Sequence, residues 1–423
     1  MHRKSKTLIV GTTPDYINLI YKTYKDNVLF LNTPFTETSS YEILPEEGIC
    51  QISDDLSNIN ITLKKLDDYI NFNSIKINGI SSFDCESLEL ASIIANKYEL
   101  PYPSLDAVGI CRNKDLFKKL MREHGINVPQ TTKVDSLSCL LSFFEKMNKR
   151  CVLKPAAGSG SELVFKTETI EEAKTAYNLI DNALKTKHSS LLYNSNLSVT
   201  SNPSIIAEEL IEGIEYSCDF FCKNETVNII RLTEKLKSDN HPFGTILGYK
   251  LISTIPDIYL DKLKELLVKS SALLNIENAV CMIDFIVKKN DLYILEITPR
   301  PGGDCIPFLL LHASGENIIN MNIDLCSGGI VETKNIDSIN QFVAFRIFAQ
   351  KSGILKNINL SKLADNPNIV DIHVYRQPGE KIELPPKDYE SWNLGFIILK
   401  KLKGKKWIEE YTDIINQIEI EIL

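Results

Sequence analysis

Long apolar runs are what this 423-residue chain most plainly lacks. None reaches the roughly 18 residues that a membrane helix needs. CMIDFIV and CIPFLLL are among the longest, and both read as buried strand or turn. The opening MHRKSKTLIVGTTPD is basic but has only a four-residue apolar run, with no secretory core or cleavage site, so TLIV reads as a first strand. Clustered basic charge is also missing. Lys and Arg number 47 against 55 Asp and Glu, a formal net charge of −8. That argues against nonspecific nucleic-acid binding, which needs grouped Lys and Arg against phosphate. The ten cysteines include no C-x-x-C. Most lie in apolar settings, as Cys151 does in RCVLKP and Cys281 in AVCMID, and they read as reduced core residues of a cytoplasmic protein. Cys218 and Cys222 share a strand face without further ligands at zinc spacing, so they read as packing. There is no internal repeat, no low-complexity tract, and no Ser-His-Asp or Cys-His arrangement. What is present is ordinary globular material, 43% hydrophobic and 24% charged.

Strand and helix patterns alternate over the first hundred residues: TLIVG, PDYINLIYKTY, VLFL, SIKING, ESLELASIIANKYEL. This spacing predicts a doubly wound parallel sheet. Gly-Thr-Thr-Pro after the first strand is not a dinucleotide fingerprint. PYPSLD marks a boundary, and RNKDLFKKLMREHGINVP predicts a helix capped by Asn113 and closed by Gly125 and Pro129. Two α/β stretches follow, 130–200 and 205–330, with a Ser/Asn-rich loop expected over 185–204. Strand-like runs return after 331, before a closing helix, WIEEYTDIINQI.

Three stretches carry chemistry. In VLKPAAGSGSELVF, a strand bearing Lys154 stops at Pro155 and opens a loop of Gly158, Ser159, Gly160 and Ser161. Such small residues let backbone N–H groups approach an anion, and the lysine adds charge, which suits a polyphosphate. The lysine precedes the glycines, so this is no Walker loop; an ordinary hairpin with a flexible tip is the plainer alternative. In AEELIEGIEYSCDFFC, a strand end could offer adenine a backbone donor and acceptor, and a later acid could accept ribose hydroxyls; an acidic, solvated hairpin is the alternative. In MIDFIVKKNDLYILEITPRPGGD, a hairpin turning at 288–291 sets Asp284 and Glu296 on neighbouring strands. Two close, buried acids repel and need positive charge. Magnesium with nucleotide phosphates would supply it, or a lysine or arginine would. Arg300, between prolines, could grip a carboxylate or phosphate with two N–H groups.

The order of these pieces (N-K-D-L-F-K-K-L, then V-L-K-P-x-x-G-S-G-S, then E-E-L-I-E-G-I-E-Y-S, then D-F-I…L-E-I-T-P-R-P-G-G-D) resembles the ATP-grasp superfamily. Within it, the order resembles the carboxylate–amine ligase branch that includes bacterial L-amino-acid ligases. The tail QFVAFRIFAQKSGIL…VYRQPGEKI…LGFIIL is similar to the C-terminal domain of the L-amino-acid ligase and carboxylase branch. The resemblance implies an α/β and α+β fold in four parts. These are a Rossmann-like domain (1–105), an ATP-grasp small subdomain with a Gly-rich lid (106–204), a large subdomain with the metal site (205–330), and a β-rich C-terminal lobe (331–423). It implies that Lys114 and Lys154 hold phosphates, that Gly158, Ser159, Gly160 and Ser161 form the lid, and that Glu208, Glu209, Leu210 and Ile211 form the adenine hinge. Glu215 would bind ribose. Asp284, Glu296 and Thr298 would bind Mg2+ or Mn2+, and Arg300 would steady the acyl phosphate.

The sequence departs from the family twice. Thr298 stands where the family's E-x-N-P-R has Asn. Residues 231–249 occupy the substrate-loop position without its Glu and His, since Thr245 and Tyr249 stand near those places. Lys235 fits there as a phosphate partner, and His241 reads as a surface loop residue. The activity implied is ATP-dependent joining of a small carboxylic acid to an amine, amino-acid or peptide-like, with ADP and phosphate released. The expected assembly is a homodimer, with neither nucleic acid nor membrane as partner. An ATP-grasp carboxylase or purine-pathway type of ligase is a rival, disfavoured by the missing V-E-H-P-V-T-E element. A noncatalytic nucleotide-binding module is another, favoured by Thr298.

Overall fold

The structure, a computed structural model, describes residues 4–34, 49–187, 190–193, 203–223, 226–255, 257–334, 342–400 and 404–423. The first part alternates as its apolar pattern predicts through β1 (Lys4–Val10), α1 (Pro14–Tyr24) and β2 (Val28–Asn32), then adds β3 (Gln51–Ser53) and α2 (Ile59–Phe72), which the sequence reading did not name, before the expected β4 (Ile75–Ser81) and α3 (Leu88–Lys97). The strands form a parallel sheet in the order β3-β2-β1-β4. Such strands need apolar residues on both faces. Leu8 and Val10 pack with α2 and α3, while Ile9 and Phe30 pack with α1 on the other side.

After α4 (Leu105–Arg112), helix α5 (Lys114–Glu123) starts where the sequence predicts. The Asn113 side chain accepts from the N–H groups of Asp115 and Leu116 at 3.1 Å, and Phe117 and Met121 fill its buried face. An antiparallel sheet follows, ordered β5-β8-β6-β7. It comprises β5 (Thr131–Val134), β6 (Cys151–Pro155), β7 (Phe165–Thr167) and β8 (Ile205–Glu209), with α6 (Leu137–Lys146) and α7 (Ile170–Thr186) packed on it. The loop expected over 185–204 lies largely outside the described residues, and its first two residues belong to α7.

Besides a small separate sheet of three strands, the rest builds one long antiparallel sheet of eight. Its first strands are β9 (Ile214–Lys223), β10 (Thr226–Leu236) and β11 (Gly248–Leu251), then, after α8 (Asp257–Leu274), β12 (Ala279–Lys288) and β13 (Asp291–Thr298). Helices α9 (Ile306–Ser314) and α10 (Ile318–Cys326) lead to β14 (Phe342–Phe348), β15 (Gly353–Asn359), β16 (Ile369–Val374), β17 (Lys381–Ile382), β18 (Asn393–Lys400), α11 (Trp407–Ile415) and β19 (Glu419–Ile422). The eight-stranded order is β13-β12-β9-β10-β11-β14-β18-β16, so β14 and its neighbours extend the sheet that begins at β9. Cys218 and Cys222 are buried in its core. Helix α10 returns to the N-terminal sheet, where Asn322 donates to Ser81 Oγ at 2.7 Å. The Tyr16 hydroxyl donates to the Asp304 carbonyl at 3.1 Å. This docking brings the loop after β4 beside Arg300.

Candidate active site

The hairpin β12–β13 places Asp284 directly opposite Glu296. Register slips between Asp284 and Phe285, so that Phe285 pairs with Ile294 and Leu295 is the extra residue. The bulge has a consequence for facing, because side chains alternate along a regular strand. Ile294 and Ile297 are both in the core, three residues apart, while Glu296 is released toward the cleft. Hairpin placement of the two acids is as the sequence predicts; the bulge is not legible there, since Leu295 is itself apolar.

Two cavities meet at this pair. A cleft of about 650 Å³ is lined by Lys114, Lys154, Gly158–Ser161, Glu208–Ile211, Glu215, Lys235, Asp284 and Glu296. A second chamber of about 320 Å³ adds Thr298 and Arg300. Lys114, Lys235, Asp284, Glu296 and residues Gly158–Ser161 belong to both. Every candidate phosphate-, adenine-, ribose-, metal- or acyl-binding residue singled out from the sequence therefore borders one of two connected spaces.

Charge alternates along the cleft wall. Lys114 reaches Glu296 at 3.2 Å and donates to the Gly158 carbonyl at 3.0 Å, tying the first turn of α5 to the glycine–serine loop. Lys154 pairs with Glu208 at 2.8 Å, and Lys118 takes the other Glu208 oxygen. Lys235 lies between Glu215, at 3.0 Å, and Asp284, while Lys237 takes the second Glu215 oxygen. Burial raises the carboxyl groups of Glu215 and Glu296, but neighbouring ammoniums outweigh it and hold both down at about 2. Asp284 goes the other way: burial lifts it, and Glu296 and Glu215 add to the lift against Lys235. Lys235 keeps its proton despite burial because Asp284 and Glu215 flank it.

Do these groups suit a divalent ion? Among the described residues, no three His, Cys, Asp or Glu side chains converge as a metal cluster. The chain offers two facing carboxylates and the Thr298 hydroxyl, and a nucleotide would have to complete the shell. One atom favours that arrangement. Asp284 Oδ1 is buried and has no hydrogen-bond partner, and a buried oxygen left this way is costly unless a ligand meets it. Hard oxygen donors are what Mg2+ takes, so the donors present fit the ion.

Arg300 is held otherwise than by a carboxylate. Its Nε and Nη2 donate to Cys85 Sγ at 3.3 and 3.1 Å, and Nη1 to the Pro301 carbonyl at 2.7 Å. Beneath the following turn lies an ion pair that sequence reading missed. Arg231 and Asp219 are both fully buried, with Nε donating to Oδ2 at 2.6 Å. The other Asp219 oxygen accepts from Gly302 N–H at 2.8 Å. A Cβ at Gly302 would come within 2.8 Å of Arg231 Nη2, so this close approach requires glycine. The chamber also receives Arg346, Phe348, Tyr389 and Trp392 from the C-terminal residues, and Arg346 pairs with Asp304 at 3.0 Å. No motif marks these residues in the sequence. His241 corrects an expectation: it is half-buried and lines the cleft instead of lying on the surface. Its ring is 6.2 Å from that of Phe348, and burial lowers its basicity. Thr245 and Tyr249 both line the chamber.

Two antiparallel sheets closing on a lysine- and carboxylate-lined cleft, behind a parallel α/β part, define the ATP-grasp fold. Residues 147–307 match the model of the ATP-grasp domain, so the chain contains an ATP-grasp domain. It is similar to the L-amino acid ligase of Bacillus licheniformis, with a TM-score of 0.77 and 16% identity over the full length of both chains. It is also similar to the biotin carboxylase domain dimer of the Hydrogenobacter thermophilus 2-oxoglutarate carboxylase, solved with MgADP, ADP and bicarbonate. There the TM-score is 0.68 and the identity 13%, covering all of this chain and 91% of that one. An uncharacterized protein of Sinorhizobium fredii is 21% identical over 313 residues, 73% of this chain. The chain spans 61% of that relative's length. No helix among the described residues is long and apolar enough to cross a membrane.

Proposed function

We propose that the chain is an ATP-dependent carboxylate–amine ligase. The observation that carries this reading is the shared wall. Asp284, Glu296, Lys114 and Lys235 border both the cleft and the chamber beyond it. A phosphoryl group passed between two substrates would cross at that wall. In this reading a substrate carboxylate oxygen attacks the γ-phosphorus of ATP and ADP leaves. The amine nitrogen then attacks the acyl carbon, losing a proton, and phosphate departs.

Each part of the chain has a task in this scheme. Lys114 and Lys154 bind the phosphates, and Lys235 offsets charge as the γ-phosphoryl group moves, so catalysis is mostly positioning and electrostatics. Glu209, the last residue of β8, and Leu210 and Ile211 just past the strand meet adenine, and Glu215 meets ribose. Asp284, Glu296 and Thr298 would hold Mg2+ or Mn2+, which when bound would neutralise phosphate charge. Arg300 turns from Cys85 toward the acyl group in the chamber. Residues Gly158–Ser161 shut water out, which would otherwise consume the activated acid. The four-part division at 105, 204 and 330, a homodimeric assembly and a cytoplasmic setting belong to the same proposal.

ADP release measured against pools of carboxylic acids and amines tests the reading. Release is expected to require one acid and to rise with one amine. ADP release that depends on neither would overturn it.

A further inference from the structure

Lys118 is an anomaly in α5. It follows Lys114 by one turn, yet its side chain has no exposed surface, and it lines neither cavity. A buried ammonium is costly unless well paired, and an apolar residue would fill this place without that cost. Its partner is Glu208, whose other oxygen holds Lys154 at 2.8 Å. Lys154 itself lines the cleft. Without Lys118, Glu208 would cancel the charge of Lys154. With it, two ammoniums share one carboxylate, and the group keeps one net positive charge behind the phosphate-facing lysine.

We infer that Lys118 and Glu208 are positioning residues for Lys154, with Glu208 fixing its ammonium at the cleft wall and Lys118 preserving the group's attraction for a nucleotide's polyphosphate. The inference rests on the nucleotide reading of the cleft. It also gives Glu208 a task other than contacting adenine, since both its side-chain oxygens are engaged and its backbone lies between Thr131 and Val152 in the sheet.

The titration of the group supplies a test. The groups facing Lys118 are Glu208 from β8, Lys154 from β6 and Lys114 from its own helix. Burial pulls the Lys118 ammonium down to about 7, Lys154 and Lys114 pull with it, and Glu208 opposes them. Raising the pH through 7 therefore discharges Lys118, while Glu208 holds the Lys154 ammonium up against burial.

The experiment is calorimetric titration of the full chain with a non-hydrolysable ATP analogue and Mg2+ at pH 6 and pH 8.5, with thermal melts to check folding. Lys118→Met is expected to bind roughly 10-fold more weakly than wild type at pH 6, the effect of one charge at close range in a partly shielded site. The gap should close at pH 8.5, where wild type has lost the same charge. Lys118→Arg, charged throughout, should match wild type at pH 6 and bind several-fold tighter at pH 8.5, an outcome that does not depend on the Met variant folding. A folded Met variant equal to wild type at pH 6, or an Arg variant with no advantage at pH 8.5, would overturn the inference. Wild type that fails to bind the analogue at either pH would instead sink the nucleotide reading beneath it.

Discussion

At the scale of single residues, the site is a balance of carboxylates and ammoniums in which each removal strands a partner. Glu296 faces Asp284 across the hairpin and binds Lys114. Glu296→Ala should cut acid-dependent ADP release by about 10²- to 10³-fold, the usual loss when a preorganised electrostatic contact disappears. Turnover at the wild-type rate would show that the pair holds no ion. Arg231 lies outside the cleft but supports the turn carrying Arg300 and Gly302. Arg231→Met leaves Asp219 buried and unpaired, at a cost of roughly 3–5 kcal/mol, to be read as a lowered urea midpoint. The double variant Arg231→Met, Asp219→Leu should recover much of that loss, because the penalty belongs to the stranded charge.

At the scale of elements, helix α5 and the β12–β13 hairpin show what a sequence can disclose. The start of α5 is legible because Asn113 precedes a run with helical spacing, and its side chain does cap the first turn. Asn113→Ala should cost about 1 kcal/mol and loosen Lys114 at the next position, whereas Asn113→Asp should restore stability in urea unfolding. Lys118, on the same helix, is illegible. A lysine amid KKLMRE reads as solvent-facing, and only β8 packed against it supplies the carboxylate that makes burial tolerable. The hairpin is legible from two apolar runs around a polar turn. Its bulge is not, since register is settled by pairing with a neighbour. Arg231 and Asp219 read as ordinary strand residues until β9 and β10 pair and enclose them.

At the scale of the whole molecule, ion pairs line the cleft and join it to the C-terminal strands through Arg346–Asp304 and His312–Asp371, and stability should therefore depend on acid. Glu215 in the cleft and Asp371 on β16 are each held at about 2. Burial opposes that shift, but Lys235 and Lys237 outweigh it for Glu215, and His373 and His312 do so for Asp371. A carboxyl group depressed in the folded state stabilises fully above its unfolded value near 4. It loses that contribution as pH falls toward its folded value, because the unfolded chain then binds the proton more readily. For Glu215 the contribution is on the order of 3 kcal/mol. Asp284, raised instead of lowered, works in the opposite sense and offsets part of the loss. The Glu215 and Asp371 contributions should thus be constant above about pH 5 and be lost between about 4.5 and 2, lowering urea midpoints over that range. Glu215→Gln should begin lower at pH 7, with Lys235 and Lys237 short of a counter-charge, and fall less steeply over the acid range. Parallel acid limbs for variant and wild type would remove the Glu215 cluster as a source of the acid sensitivity.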